Sequence, residues 1–206
     1  MFGQSQLPVV VLKPMTLQDA RSIWRAGRGD PAWPETSRTL RGFRTMVTDW
    51  QAAEVIGWGA LRAVHLYPPA SSPVIGFVTF EEVGESWTGP SHKAVECGTY
   101  VVPAYRGLGL NRRIKAASVS LGFTALGADS ILYAVPLVNQ VAMRSLQRIV
   151  GDNTDKVLAE TRFQKWLRYR QWKEGTSFQL FVISLESAKA CHLLDPDGYD
   201  GHLIRE

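Results

Sequence analysis

The chain has 206 residues, of which 45% are hydrophobic, 20% charged and 10% aromatic. That is enough apolar material for one domain with a proper core, and it excludes wholesale disorder. Twenty-three Lys+Arg against 19 Asp+Glu leave a formal charge of +4, compatible with a phosphate-bearing ligand but not diagnostic of nucleic acid. No apolar run approaches the roughly 20 residues of a membrane span. The N-terminal MFGQSQLPVVVLKPM has no basic leader and too short an apolar stretch for a signal peptide. Two cysteines, Cys97 and Cys191, cannot build a disulfide framework and suit a reducing compartment. The expectation is a cytoplasmic single domain over 1–206 without membrane contact, whose last stretch, 187–206, is a polar tail.

Residues 8–13 (PVVVLK) read as a first strand. Thr16 suits the N-cap of a helix over 17–26, with Ala20, Ile23 and Trp24 at helical spacing. GRGDPAWP (27–34) is a loop, and Pro34 opens a second helix carrying Leu40, Phe43, Met46, Val47 and Trp50 on one face. Segments 54–66, 73–83 and 93–102 are strand-like and separated by Pro, Ser and Gly. A helix over 109–126 should turn Ile114, Ala117, Leu121 and Phe123 inward and stop at Gly127. SILYAVP (130–136) reads as a buried strand, 139–149 as a helix, and 160–172 and 177–186 as two long strands joined by a turn at Lys173–Gly175. The order gives about seven strands, in a mixed sheet with helices on both faces.

The most informative stretch is YVVPAYRGLGLNRR (100–113): a buried strand, a proline exit, a glycine-bearing loop and a helix start. Glycines let backbone N–H groups turn toward an anion, and a helix N-terminus adds favourable dipole charge. Arg106, Arg112 and Arg113 add cations. GxGxxG fails because Arg112 stands at the third glycine position, and no GxxxxGK[ST] occurs. A strand–glycine–helix turn can also need glycine for geometry alone, so the companion segments decide.

VVPAYRGLGLN resembles the coenzyme loop of the GNAT superfamily of N-acetyltransferases, where a strand ending V-x-P leads into R-G-x-G-x-[GA] around the pyrophosphate of acetyl-coenzyme A. Asn111 departs from the usual Gly or Ala. NQVAMRSL (139–146), 33 residues after Arg106, resembles that family's N-x-x-[AS] segment beside the pantetheine arm. VECGTY (95–100) and the C-terminal RYRQWKEGTSFQLFVIS resemble a strand and a closing hairpin of the subgroup related to ribosomal-protein N-terminal acetyltransferases. The resemblance implies a mixed α/β (α+β), mostly antiparallel sheet, with acetyl-coenzyme A as co-substrate and an opening between the strands ending near Val101 and Pro136 for the pantetheine arm. It places coenzyme contacts at Tyr100, Val101, Val102, Arg106, Gly107, Leu108, Gly109, Leu110, Asn111, Arg112 and Asn139.

Acetyl transfer needs a neutral amine, yet α-amino groups (pKa ~8) and lysines (~10.4) arrive protonated. A carboxylate can take that proton. Glu96 is the candidate, on the strand that leads into the loop, with the small Ala94 and Gly98 on its face; the bland alternative is a solvated strand glutamate. In this family a backbone N–H of that strand, here near Tyr100–Val102, polarises the carbonyl. Many members carry a tyrosine seven residues after the asparagine; here Leu146 stands there, and Ser145 is the nearby group able to hydrogen-bond the coenzyme sulfur. The alternatives are a different acyl group or a coenzyme A-binding module without catalysis. The acceptor is a small-molecule or protein amine; a homodimer is compatible with the sequence.

The basic, aromatic stretch TRFQKWLRYRQWK (161–173) has the composition that single-stranded nucleic acid favours, but it reads first as a half-buried strand with a solvated cationic face, so nucleic acid is not an expected partner. The four histidines show no metal spacing. DPDGYDGHLIRE (195–206) has Asp200 where a calcium loop requires glycine. No metal is expected. Cys97 reads as a buried structural thiol.

Overall fold

The computed structural model describes residues 9–33, 37–67, 73–152, 154–155, 159 and 161–194. Six strands, β1 (Val9–Pro14), β2 (Gly59–Tyr67), β3 (Val74–Val83), β4 (Ala94–Val101), β5 (Ser130–Pro136) and β6 (Phe178–Ser184), form one open, mostly antiparallel sheet in sequence order. Among the described residues the helices are α1 (Leu17–Gly27), α2 (Leu40–Val55), the single turn α3 (Glu85–Thr88), α4 (Leu110–Thr124), α5 (Gln140–Val150), α6 (Gln164–Glu174) and α7 (Leu185–Ala190). This is the expected mixed α/β class, with six strands among the described residues where about seven were expected. The chain divides into two compact units, one of residues 1–79, 98–117 and 200–206, the other of 80–97 and 118–199. Residues 195–206, whose resemblance to a calcium loop fails at Asp200, lie outside the described residues.

In the first unit β1 and β2 pair antiparallel from Val9↔Tyr67 to Pro14↔Arg62. Thr16 caps α1 as expected, in a reciprocal capping box with Asp19. The second helix begins at Leu40, capped by Thr39, whose hydroxyl accepts from the Gly42 N–H at 3.0 Å. Pro34, expected to open it, lies outside the described residues, and a threonine able to satisfy an orphan N–H sets the described start. Ile23, Trp33, Phe43, Val47, Phe77 and Tyr100 pack into one core. Gly76 lets β3 and β4 approach closely, since a Cβ there would sit 2.1 Å from the Tyr100 carbonyl oxygen.

In the second unit β4 pairs parallel with β5 over Ala94–Glu96 and Ser130–Leu132, and β5 pairs antiparallel with β6 from Ser130↔Ser184 to Pro136↔Phe178. The expected strand over 160–172 is a helix, α6, so RYRQWKEGTSFQLFVIS is a helix followed by a strand and not a closing hairpin. The reason lies in its period. Alternation would put Lys165 on one face with Phe163 and Leu167, whereas Phe163, Trp166, Leu167 and Arg170 fall at i, i+3, i+4 and i+7. Phe163 is fully buried and Trp166 7% exposed, packed with Leu132, Leu180 and Val182. Gly175, read as a hairpin turn, ends α6 with φ +63°. In α4, across both units, Ile114 and Leu121 are buried as expected, while Ala117 and Phe123 are only half-buried. Of the expected tail, 187–190 are helical and Ala188, Cys191 and Leu193 are buried. Among the described residues, no helix is long and apolar enough to cross a membrane.

Candidate functional site

The loop after β4 belongs to the first unit. Val102 is buried and donates its N–H to the Ile75 carbonyl at 2.9 Å. A single 3-10 turn, Pro103–Tyr105, carries the chain to Arg106. Gly107 and Gly109 both adopt φ +75°, a conformation any side chain would oppose. Leu108 between them is 48% exposed, and Leu110 is buried as the first residue of α4. The first turn of α4 contains no acid; Arg112 is exposed and Asn111 half-buried. Two glycines that re-aim the backbone, a fifteen-residue helix beginning behind them and adjacent cations make a cradle suited to a pyrophosphate. These residues fit a coenzyme A moiety.

Arg106 does more than supply charge. Its Nη2 contacts Asp30 Oδ2, its Nη1 lies 3.3 Å from Asp30 Oδ1, and its Nε donates to the Val101 carbonyl at 2.8 Å. The guanidinium also stacks 5.4 Å from the centre of the Tyr100 ring. Asp30 sits in the α1–α2 connection with its side chain only 5% exposed, and also accepts from the Tyr100 hydroxyl at 2.8 Å and the Ala32 N–H at 3.1 Å. Burial alone would raise its pKa; the bonds from Arg106, Ala32 and Tyr100 outweigh burial and hold the carboxyl below its ordinary value. Burial and the hydrogen bond to Asp30 push the Tyr100 phenol well above its ordinary range. Asp30 went unnoticed in the sequence because nothing local links it to a residue 76 positions away.

A buried cation lies in the same unit. Lys115, on α4, is 6% exposed and donates from Nζ to Thr99 Oγ1 on β4 at 2.8 Å.

In the second unit, Glu96 is half-buried on β4, its side chain 13% exposed, and its Oε1 contacts Arg170 Nη1. Arg170 comes from α6 and was not anticipated, because its segment read as a strand. Its Nε also donates to Glu174 at 2.7 Å, and its guanidinium lies 5.7 Å from the Trp166 ring centre and 5.1 Å from that of Phe178. The solvated strand glutamate considered above is not what occurs: Glu96 is held. Asn139 caps α5, its side-chain oxygen accepting from the Ala142 N–H at 3.1 Å. Ser145 is half-buried on α5 and Leu146 buried beside it. A hollow of about 420 Å³ is lined by Leu137, Val138, Gln171, Gly175, Thr176 and Ser177. Cys97 is buried.

The profile of the acetyltransferase (GNAT) family matches residues 30–151, more than half of the chain and inclusive of both Asp30 and the glycine loop after β4. The chain belongs to the GNAT family. It is an acyltransferase that moves an acyl group from acyl-coenzyme A to an amine. Among solved structures with this fold, Mycobacterium smegmatis RimJ in complex with CoA-disulfide is 18% identical, with TM-score 0.64 over 90% of this chain and 87% of that one. FdhC, a nucleotide-linked sugar GNAT, is 11% identical, with TM-score 0.62 over 90% and 94%. A spermidine N-acetyltransferase SpeG chimera from Vibrio cholerae and hSSAT is 17% identical, with TM-score 0.53 over 68% and 78%. A comparison with curated protein sequences returned no match.

Proposed function

We propose that this GNAT enzyme transfers acetyl from acetyl-coenzyme A to a primary amine by direct attack, as one catalytic domain over 1–206. The observation that carries the proposal is the loop with two left-handed glycines leading from β4 into an acid-free helix start. The backbone N–H groups of 107–111 hold the pyrophosphate, assisted by Arg112, while Arg106 is anchored on Asp30 and Val101 and keeps the loop in shape. Because the Val102 N–H is already given to Ile75, the expected carbonyl donor narrows to Tyr100 or Val101. Glu96 takes a proton from the acceptor's ammonium, directly or through water, freeing the neutral amine that attacks the thioester carbonyl as the coenzyme thiolate leaves. Ser145 hydrogen-bonds the departing sulfur. A thiol leaves without strong acid help, its free pKa being ~8.5, so the buried Leu146 is compatible with turnover.

The test has two parts. Acetyl-coenzyme A at a hundredfold excess over its Kd should stabilise the protein by about 2.7 kcal/mol, a readily measured melting shift. Thiol release is then followed across α-amino and ε-amino peptides and small amines, with Glu96→Gln alongside. That variant keeps shape but loses the basic oxygen, so kcat at pH 7 should fall by about 10²–10⁴-fold while coenzyme affinity stays put. Full turnover by Glu96→Gln would remove Glu96 from the mechanism. A coenzyme shift with no thiol release from any amine would favour a binding module without catalysis.

A further inference from the structure

Arg170 stands against the carboxylate assigned to the incoming amine. It is held on four sides, by Glu96, by Glu174 and by the rings of Trp166 and Phe178. A guanidinium stacked on aromatic rings and tied to carboxylates at its edge is preorganised and gives up its geometry reluctantly. The helix that presents it carries Lys165, Arg168, Arg170 and Lys173 against one acid, Glu174, which is itself engaged by Arg170. Lys165, Arg168 and Lys173 are exposed. The hollow that Gln171 of the same helix helps to line has amide, hydroxyl and apolar groups and no carboxylate among its described lining residues.

A polycationic acceptor needs carboxylates to replace the water it loses. Here both carboxylates at Arg170 are already engaged by it, and the four cations of α6 outnumber Glu96 and Glu174 by two, an excess that would repel further positive charge. We propose that the acceptor is an amine that also carries negative charge, a carboxylate or a phosphate, and that Arg170 with the exposed cations of α6 selects it. Arg170 is thus a specificity-determining residue: it binds the acceptor's anionic group with its remaining donors while fixing the orientation of Glu96. Like-charge juxtaposition excludes the wrong substrate as effectively as attraction chooses the right one. This inference rests on Glu96 being the group that meets the amine.

The experiment measures equilibrium binding to the full chain saturated with coenzyme A, whose free thiol cannot donate acetyl. The probes are glycyl-aspartate, glucosamine 6-phosphate and spermidine, so the two anionic arms separate carboxylate from phosphate. At least one anionic amine should bind about tenfold or more tightly than spermidine, with an affinity that declines as salt rises. Arg170→Gln should erase that preference. Because Arg170 also packs on two rings, a second variant, Lys165→Gln/Arg168→Gln/Lys173→Gln, changes only exposed side chains and should weaken the anionic probe by about threefold or more. Tighter binding of spermidine, no binding of either anionic amine, or an anionic preference untouched in both variants each overturns the proposal. The acetyl-transfer reading is decided separately, by thiol release from acetyl-coenzyme A, so the two can fail independently.

Discussion

Replacing Asp30 by Asn tests whether the α1–α2 connection holds the coenzyme loop. The substitution keeps an oxygen for the Ala32 N–H at 3.1 Å but removes the charge that Arg106 and the Tyr100 hydroxyl share. Breaking one half of a fully buried pair costs ~3–5 kcal/mol. Arg106, however, is 42% exposed and regains water when released, which brings the expected loss down to ~1–2 kcal/mol. For a protein of this size each kcal/mol moves Tm by about 2–4 °C, so Asp30→Asn should melt about 2–8 °C lower at pH 7. The loop, no longer pinned through Arg106, should bind coenzyme A about three- to tenfold more weakly. The sign of the pH dependence follows from the lowered pKa. A carboxyl depressed in the folded state stabilises fully above its unfolded value, 3.8, and loses that contribution as pH falls through the folded value. The gap in Tm between wild type and variant should therefore close on acidification below pH 3.8. A variant that melts within about 1 °C of wild type at pH 7, with unchanged coenzyme affinity, would refute the anchoring argument.

Gly109→Val should abolish coenzyme binding, since φ +75° is hostile to a β-branched residue and the backbone must stay close to the pyrophosphate; normal affinity by calorimetry would make the glycine a turn residue only. Asn139→Ala separates two roles: loss of the α5 cap should cost ~1 kcal/mol in a denaturant melt, and coenzyme affinity should fall as well if the side chain also meets the pantetheine arm. His65, 3.7 Å from Asp19, has its pKa lowered chiefly by burial, with Asp19 opposing. Its neutral form is the folded one, so stability should be intact above pH 6.5 and decline below it, and His65→Gln should flatten that decline in a pH series of melts.

Local signals were strong wherever one residue type answers one local need. Thr16 before Asp19, the glycines at 107 and 109, and the apolar run of β5 each meet a backbone requirement within a few positions, so the loop and most elements are legible from the chain alone. The family follows from the same stretch, because a strand, a glycine turn and a helix start are consecutive in sequence. The charged partners are not consecutive. Arg106 meets Asp30 across 76 positions, and Glu96 meets an arginine 74 positions on. Such pairs are set by which faces the packed elements turn toward each other, and no periodicity carries that information. The segment 161–173 shows the boundary between the two kinds of knowledge. Its aromatic and basic residues satisfy strand propensity, but burying Phe163 and Trp166 together requires a period of 3.6, and only the core formed by Leu132, Leu180 and Val182 decides for the helix. With that choice Arg170 arrives at Glu96, and the chemistry proposed for the carboxylate acquires a neighbour that its own strand does not reveal.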